Sequence, residues 1–282
     1  MVQCGIFFFA TDKSMQPAEI ARAVEERGLD GLFLPEHTHF PCNSVSPYFK
    51  DQEIPEPYRR TYDPFVALAT CAAVTKRIRL GTGVALVAQH DPIALAKTVA
   101  SLDRLSGGRV TLGVGCGWNE PEFENHGHPF KKRWRVVREY VLAMKAMWRD
   151  EISEFHGEYV NFDPMLSYPK PLQAGGPPIW IGANSKYIPD RVAEYGDGWT
   201  PVGGYPTSGT VEQLKEACAK RGRRFEDLTL GLFFAPTKED RCRALMAEGY
   251  TELVFAVPSE GADTVLPRLD TLAKLAESLK AG

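Results

Sequence analysis

The sequence lacks the patterns that identify membrane-spanning, disulfide-bonded and zinc-binding proteins. The apolar stretch at residues 1–10 is too short to cross a bilayer, and it predicts a buried first strand. None of the six cysteines has a second cysteine or a histidine at zinc-finger spacing, which favours reduced thiols and a cytoplasmic protein. These cysteines are Cys4, Cys42, Cys71, Cys116, Cys218 and Cys242.

Charge of one sign is not in excess either. The 33 Lys and Arg residues are matched by 36 Asp and Glu residues, which gives a formal net charge of -3. Proteins that bind nucleic acid normally carry a basic face, so we expect neither nucleic acid nor a membrane as partner. With 44% apolar residues the chain can bury a large core, and one barrel-sized domain over residues 1–282 is expected.

What the sequence does contain is a strand–helix–strand unit between residues 79 and 120. A β-branched apolar run at residues 78–86 precedes an amphipathic helix, and a second apolar strand follows at residues 110–114. Both predicted strands carry glycines at or near their ends, at residues 81–83 and 113–117, where glycine permits close approach of a backbone or ligand. The unit predicts parallel strands whose ends meet a flat ligand.

The same alternation of strand and helix runs through the whole chain. Strands are predicted at residues 3–9, 31–34, 78–86, 110–114, 178–182, 199–202, 228–235 and 252–257. Because each is followed by a helix, the pattern specifies a (β/α)8 TIM barrel of the α/β class. Residues 154–162 predict a small hairpin insertion, and a long polar loop after the second strand predicts an active-site lid. That loop holds Pro41, Pro47, Tyr48, Phe49, Pro55, Pro57 and Tyr58.

Histidines follow the second predicted strand, at the end where such barrels place their catalytic groups. His37 and His39 are two residues apart on an extended segment, a spacing at which two histidines can bind one metal ion. The other strand ends, however, lack the further His and carboxylate ligands of a binuclear hydrolase. We therefore expect no metal, and we favour a catalytic or cofactor-contacting role for His37. The neighbouring Glu36 either polarises His37 or acts as a general acid, or else it caps a nearby helix. His126 and His128 lie in a loop without matching carboxylates and are expected to be structural.

Three further segments have a functional and a structural interpretation. Cys116 is either a nucleophile or, as we favour, a small residue against a flat ligand. The segment 182–185 precedes a predicted helix and offers backbone N–H groups to a phosphate, with the segment 259–261 as a rival. The basic run at residues 131–133 is either a solvated helix face or a contact for an anionic cofactor tail.

Seven motifs occur in one order along the chain: IFFFATD at 6–12, LPEHTH at 34–39, TYDPF at 61–65, LGTGV at 80–84, LDRLSGGR at 102–109, LGVGCGWN at 112–119 and YGDGW at 195–199. Together they resemble the luciferase-like monooxygenase superfamily, and most of all its actinobacterial branch that uses the deazaflavin coenzyme F420. The resemblance covers most of the chain to about residue 204 and is less distinctive beyond it.

The resemblance implies a tricyclic cofactor ring held against a bulge with a non-proline cis peptide between Gly83 and Val84. It implies that His37 is the active-site histidine, beside the ring face from which hydride leaves. The ring edge and ribityl chain would contact Glu36, His37, Leu86, Gly115, Cys116 and Asn119. The phosphate would contact Gly182, Ala183, Asn184 and Ser185. Family members also pair as homodimers through barrel helices, which is expected here.

We therefore expect an F420-dependent oxidoreductase that transfers a hydride between the deazaflavin and an apolar or aromatic organic substrate. His37 is the first choice for the proton donor and Glu36 the second. Cys116 occupies the position where some sugar-phosphate-oxidising members carry a carboxylic acid, so their substrate is not expected. The alternative is an FMN-dependent two-component monooxygenase. A metal-dependent amidohydrolase and a non-catalytic cofactor carrier are more remote alternatives.

Overall fold

Eight parallel strands close into a barrel in the computed structural model of the protein, which describes residues 2–45, 49, 53–205 and 207–281. The barrel strands are β1 (Gln3–Phe7), β2 (Gly31–Leu34), β3 (Arg79–Thr82), β4 (Val110–Val114), β7 (Ile179–Ile181), β8 (Gly198–Trp199), β9 (Thr229–Phe233) and β10 (Glu252–Ala256). They pair in chain order, and β10 closes on β1 with Glu252 opposite Gln3. The remaining strands, β5 (Ile152–His156) and β6 (Asn161–Leu166), form an antiparallel hairpin outside the barrel. The predicted barrel and hairpin are confirmed.

Helices surround the barrel and connect its strands. They are α1 (Pro17–Glu26), α2 (Pro64–Val74), α3 (Pro92–Ser106), α4 (Glu120–Glu124), α5 (Arg133–Arg149), α6 (Ile188–Tyr195), α7 (Val211–Lys220), α8 (Glu239–Ala247) and α9 (Ala262–Ala281). The short helix α4 is an extra turn between β4 and α5, at the carboxyl end of the barrel. None of the helices in the described ranges has the length and apolarity that a bilayer span requires.

Local sequence explains where α2 and α3 begin and where α3 ends. Asp63 and Asp91 each accept a hydrogen bond from the backbone N–H three residues later, and each precedes a proline at the first helical position. Helix α3 ends at Gly107, whose φ of 76° lies in the left-handed region that glycine adopts without cost. These three residues therefore fix where α2 and α3 begin and where α3 ends.

Large aromatic side chains fill the inside of the barrel. Phe7, Phe33, Trp180 and Phe233 form a buried cluster, with the Phe33 and Trp180 rings stacked at 5.5 Å between centroids. A Cβ atom at Gly81 would lie 2.6 Å from the Phe33 ring, so the small residue in β3 makes room for the large one in β2. The packed interior makes the barrel a support for the strand ends above it rather than a channel.

Most of the predicted strands are shorter than expected, and the third and the sixth are reduced to half their predicted length or less. The apolar run at residues 78–86 forms a strand only to Thr82, after which the peptide between Gly83 and Val84 is cis and only Ala85 bridges to Val114. Residues 85–87 are apolar because the barrel rim buries them, not because they extend the strand. The strand predicted at 199–202 is reduced to Gly198–Trp199, with a single bridge from Val202 to Phe233.

The predicted lid is described in part. Pro47 and Tyr48 lie outside the described residues. A short 3-10 turn at Glu56–Arg59 leads back to the barrel, where Thr61 bridges to Thr11 and the Tyr62 N–H donates to the Ala10 carbonyl at 2.9 Å. The described end of this loop is therefore fixed to the carboxyl end of β1.

Candidate active site

A cavity of about 540 Å³ lies at the carboxyl ends of the barrel strands, which is within the size range of small-molecule sites. The structure brings the predicted site residues to its wall, apart from Asn119 and Ser185. Those on the wall are Glu36, His37, Gly83, Val84, Leu86, Gly115, Cys116, Gly182, Ala183 and Asn184. Asn119 is buried behind the wall, and Ser185 is exposed in the loop before α6.

His37 lies at the end of β2, inside a box of aromatic rings. The rings of Phe40, Tyr58 and Trp118 lie within 5.7 Å of the imidazole, measured between centroids. Its Nδ1 is 2.8 Å from Oε2 of Glu122, a carboxylate whose side chain is fully buried. Among the described residues, Nε2 of His37 has no hydrogen-bond partner, which leaves this atom for a ligand.

Glu36, the neighbour of His37, is held at both carboxylate oxygens. Oε2 accepts from the Leu86 backbone N–H at 2.6 Å, and Oε1 lies 2.6 Å from Nε2 of His90. Burial disfavours the imidazolium form, but the hydrogen bond and charge of Glu36 outweigh it, and with the charge of Asp63 they raise the pKa of His90. Glu36 therefore braces the turn that follows β3, where it binds Leu86 just before the 3-10 turn Val87–Gln89, and it bonds to His90 rather than to His37.

The other histidines of the region face away from the cavity. Oγ1 of Thr38 lies 2.9 Å from both His39 Nδ1 and His126 Nε2, and Nε2 of His39 contacts the Asn125 amide at 2.8 Å. His128 contacts the Tyr140 hydroxyl at 3.0 Å. His37 and His39, which have the spacing of a metal-binding pair, thus bond to different neighbours. Nowhere in the described ranges do three His, Cys, Asp or Glu side chains gather as a metal site requires.

The turn after β3 fits into a cradle of glycines. The cis peptide expected between Gly83 and Val84 is present. A Cβ atom at Gly115 or at Gly182 would lie 2.4 Å from a methyl group of Val84. The Val84 side chain therefore fits between the ends of β4 and β7 only because both positions are glycine, and it forms the floor of the cavity beside Gly83.

The loop between β7 and α6, the predicted phosphate site, lies farther from the start of the helix than expected. Helix α6 begins at Ile188, so Ser185 does not cap it. The Asn184 side chain is engaged, because its amide donates to the Val202 carbonyl and to Thr207 Oγ1, both at 2.9 Å, and its oxygen accepts from the Val202 N–H. Within the described chain, the backbone N–H groups of residues 183–185 have no acceptor. These donors, rather than the side chains, are available to an anion.

The rival segment at residues 259–261 is occupied by contacts with the chain itself. The Ser259 hydroxyl donates to the Phe9 carbonyl at 2.7 Å, and the Glu260 carbonyl accepts from the Met15 N–H at 2.8 Å. The segment thus fastens the end of β10 to the loop after β1.

Two arginines stand behind the wall at Cys116. The guanidinium of Arg133 lies over the Phe130 ring at 3.9 Å, and that of Arg191 over the Trp134 ring at 4.5 Å. One nitrogen of each, Nε of Arg133 and Nη1 of Arg191, is buried without a partner among the described residues. Burial raises the pKa of the Cys116 thiol, and both guanidiniums oppose that shift. A buried positive charge therefore adjoins the cavity near Cys116.

Sequence reasoning missed four residues of the site. Glu122, His90 and Arg191 contact or adjoin the predicted residues, and Phe234 lines the cavity with its ring 4.7 Å from that of Phe7. Phe234 has a φ of 56°, a left-handed conformation that is rare for a bulky residue and is often found at ligand sites. Two of them had a usable signal: Glu122 is an acid three residues after Asn119, and His90 follows the third predicted strand.

Comparison with known proteins points to one family. The family model described as luciferase-like monooxygenase matches residues 12–264. The uncharacterised protein Rv0953c of Mycobacterium tuberculosis is 39% identical over 274 residues, which cover 95% of this chain and 96% of that protein. An FMNH2-dependent dimethylsulfone monooxygenase of Pseudomonas putida is 29% identical over 182 residues, which cover 62% of this chain and 50% of that protein.

A solved structure shares the fold. The structure of an F420-dependent secondary alcohol dehydrogenase, in complex with an F420-acetone adduct, matches with a TM-score of 0.75 and covers 99% of both chains. The sequence identity is 17%, so this likeness concerns the barrel alone.

Proposed function

The chain belongs to the luciferase-like monooxygenase family, and from this premise we propose that it is an F420-dependent oxidoreductase. In this proposal it transfers a hydride between the deazaflavin and an uncharged organic substrate. The observation that carries the proposal is the position of His37, whose Nε2 is available at the wall of a cavity built from glycines and aromatic rings. The deazaflavin, rather than a flavin, is proposed from the motifs at residues 6–119, which resemble the F420-dependent branch.

The residues on the cavity wall fit a planar ring. Val84, Leu86 and Gly115 offer apolar and backbone surfaces, and the glycines allow close approach of a flat group. The cofactor's phosphate would lie near the unpaired N–H groups of residues 183–185, with Arg133 and Arg191 supplying positive charge behind the wall. Both features favour a cofactor with a flat ring and an anionic tail.

When bound, the deazaflavin supplies or accepts the hydride, and a proton must be exchanged separately. His37 is the better placed proton donor, because both carboxylate oxygens of Glu36 are already occupied by Leu86 and His90. The described end of the lid lies against the end of β1, where the Tyr58 ring is tilted against that of Phe9 with 4.6 Å between centroids, and it helps to keep water away from this side of the cavity.

The cavity supports an apolar or aromatic substrate. Among the described residues on its wall there is no lysine or arginine, and Phe9, Tyr58 and Trp118 surround the space in front of His37. The charged groups beside it are paired with one another, Asp12 with Arg60 and Lys13 with Glu56. Cys116, half-buried and with its thiol pKa raised by burial, is a poor substitute for the carboxylic acid of sugar-phosphate-oxidising relatives.

A second candidate is a two-component monooxygenase that uses reduced FMN and oxygen. The observation in its favour is the 29% identity to the FMNH2-dependent dimethylsulfone monooxygenase of Pseudomonas putida. The same glycine floor and the same anion-binding groups would serve FMN, since the two cofactors share a ring outline and a phosphate.

The two candidates are separated by anaerobic turnover. Reduced F420 is mixed with the protein and with a panel of apolar enones, imines and carbonyl compounds, and reoxidation of the cofactor is followed by absorbance. We expect reoxidation with at least one member of the panel, and none when a charged sugar phosphate is the only acceptor. Turnover only with reduced FMN and oxygen would support the second candidate. Binding of F420 without any turnover would support a cofactor carrier.

A further inference from the structure

Glu122 is a buried carboxylate that contacts His37 from behind the cavity wall. It lies on α4, and its side chain has no exposed surface. Burying a carboxylate costs free energy unless hydrogen bonds to the carboxylate compensate for the lost contact with water. Its Oε2 is 2.8 Å from Nδ1 of His37, across 85 residues of chain.

The carboxylate is itself oriented from a second direction. The side-chain amide of Asn119, which is also buried, donates to the same oxygen of Glu122 at 3.3 Å. Two donors from different elements thus converge on Oε2: the end of β2 provides His37, and the turn before α4 provides Asn119. The other oxygen, Oε1, is buried and has no hydrogen-bond partner in the part of the chain that the structure describes.

This arrangement determines which ring nitrogen of His37 carries a hydrogen. An ionised carboxylate has only acceptor sites, so Nδ1 must be the donor in the contact with Glu122. A neutral imidazole holds one ring hydrogen, and Nε2 is then an acceptor towards the cavity. Nε2 can donate a proton only when both ring nitrogens are protonated.

We propose that Glu122 is a positioning residue that keeps the hydrogen of His37 on Nδ1 and presents Nε2 to the substrate. Its catalytic consequence rests on the proposed function, whereas the position of the hydrogen is a property of the protein alone. A carboxylate that orients a catalytic histidine in this way also restricts the rotation of the ring.

The proton balance of a reduction follows from this geometry. One atom of the substrate's C=C, C=N or C=O bond accepts a hydride, with its two electrons, from the reduced deazaflavin. The other atom accepts a proton from Nε2 of doubly protonated His37. The imidazole becomes neutral with its hydrogen on Nδ1, still bonded to Glu122, and the cofactor is left oxidised by two electrons. Glu122 gains and loses no proton.

The test is the tautomer of His37 in the cofactor-free protein, measured by long-range 1H–15N correlation spectra of protein with 15N-labelled histidine. The six histidines give six patterns, and the pattern lost in His37→Gln is that of His37. At a pH where His37 is neutral, we expect the hydrogen on Nδ1 in the wild type and in Glu122→Gln, whose amide oxygen can still accept. We expect it to shift towards Nε2 in Glu122→Met, which keeps the size of the side chain but has no strong acceptor.

A matched control is Glu120→Met, an exposed position on the same helix, which should leave the His37 pattern unchanged. With a substrate from the turnover panel, Glu122→Met should lower kcat about 10- to 100-fold, the usual effect of losing such a partner, with KM and cofactor affinity unchanged. Glu122→Gln should recover part of the loss.

A wild-type spectrum with the hydrogen on Nε2, or an unchanged Nδ1 hydrogen in Glu122→Met, would overturn the proposal. The spectra need no cofactor and no substrate. A protein that binds neither F420 nor FMN would therefore refute the proposed function while leaving the tautomer result to decide the role of Glu122.

Discussion

His37 is the residue on which the proposed chemistry depends most directly. Because its ring contacts Glu122 and three aromatic residues rather than forming the cavity floor, His37→Ala should remove the proton donor and leave the ring-binding surface intact. We expect turnover of reduced F420 to fall by about 10²- to 10⁴-fold, the usual contribution of general acid catalysis, while the dissociation constant of the cofactor stays close to that of the wild type.

The control for this substitution is His39→Ala, since His39 bonds to Thr38 and Asn125 outside the cavity. It should turn over at nearly the wild-type rate. Equal turnover of His37→Ala and the wild type would show that another group donates the proton.

Glu252 is the first residue of β10, at the end of the barrel opposite the cavity. We expect its carboxyl group to make the stability of the protein depend on pH. Burial raises the pKa of this carboxyl to about 7, although Arg79 donates to it at 2.6 Å and opposes the shift. In the unfolded chain the group ionises near its ordinary pKa of about 4.3. The stabilisation that comes from the raised pKa of Glu252 is therefore complete below a pH of about 4.3. It is lost as the pH rises through about 7.

The expected change in the free energy of unfolding is on the order of 3 kcal/mol between pH 4 and pH 8. It is measured as the difference between wild type and Glu252→Gln in urea denaturation across this range. The free energy of unfolding of Glu252→Gln should increase relative to that of the wild type as the pH rises. Glu248→Gln, at an exposed position, should show no such trend. A constant difference between wild type and Glu252→Gln would contradict the raised pKa.

At the scale of elements, the glycine cradle around Val84 connects three strand ends. A Cβ atom at Gly115 would lie 2.4 Å from the nearest methyl group of Val84, and the β-branched side chain has little freedom to move. We expect Gly115→Ala to weaken cofactor binding and to lower the free energy of unfolding by about 1–3 kcal/mol, as overpacking does. Calorimetric titration with the cofactor and thermal denaturation measure the two effects.

The control is Gly261→Ala, because a Cβ atom at Gly261 would meet no atom within 4 Å. It should leave cofactor affinity and stability unchanged. Wild-type affinity in Gly115→Ala would mean that the turn after β3 does not support the cofactor ring.

The elements were predictable from sequence where local signals define them. Asp63-Pro64 and Asp91-Pro92 mark helix starts, Gly107 marks the end of α3, and the apolar run 110–114 is the strand itself. The end of β3 was not predictable, because a buried rim and a buried strand have the same apolar composition. Helix α4 was missed because a helix of five residues shows no periodicity.

Which residues form the site could be predicted from the sequence better than the hydrogen bonds between them. Barrel topology assembles strand ends, so Glu36, His37, Gly115 and Cys116 were expected together. The pairs His37–Glu122 and Glu36–His90 join residues 85 and 54 positions apart, and their formation depends on side-chain directions that a single sequence does not specify. For the same reason the bonds of the Asn184 side chain to the neighbouring loop were not foreseen.

At the scale of the whole molecule, we propose that two copies of the chain pair through α2 and α3. Helix α2 contains no charged residue, which is unusual for a helix on the surface of a barrel. Val66 and Leu105, 67% and 74% exposed, line a groove of about 490 Å³ between these helices. A second copy with the same apolar face would cover the groove in a two-fold dimer.

Light scattering after size-exclusion chromatography should give the mass of a dimer for the wild type and of a monomer for Val66→Glu. The control is Leu166→Glu on the outer hairpin, where Leu166 is 66% exposed and the dimer should persist. A monomeric wild type would contradict the proposed dimer. A dimer that persists in Val66→Glu would show that the interface lies elsewhere.

The proposed binding of a deazaflavin by this barrel is measured by a fluorescence titration with F420 beside FMN at equal concentrations. The fluorescence of each cofactor is recorded as purified wild-type protein is added. We expect a dissociation constant for F420 of about 1–10 μM and binding of FMN at least about tenfold weaker, a difference of about 1.4 kcal/mol. Tighter binding of FMN would contradict the account in favour of a flavin monooxygenase, and binding of neither would contradict both.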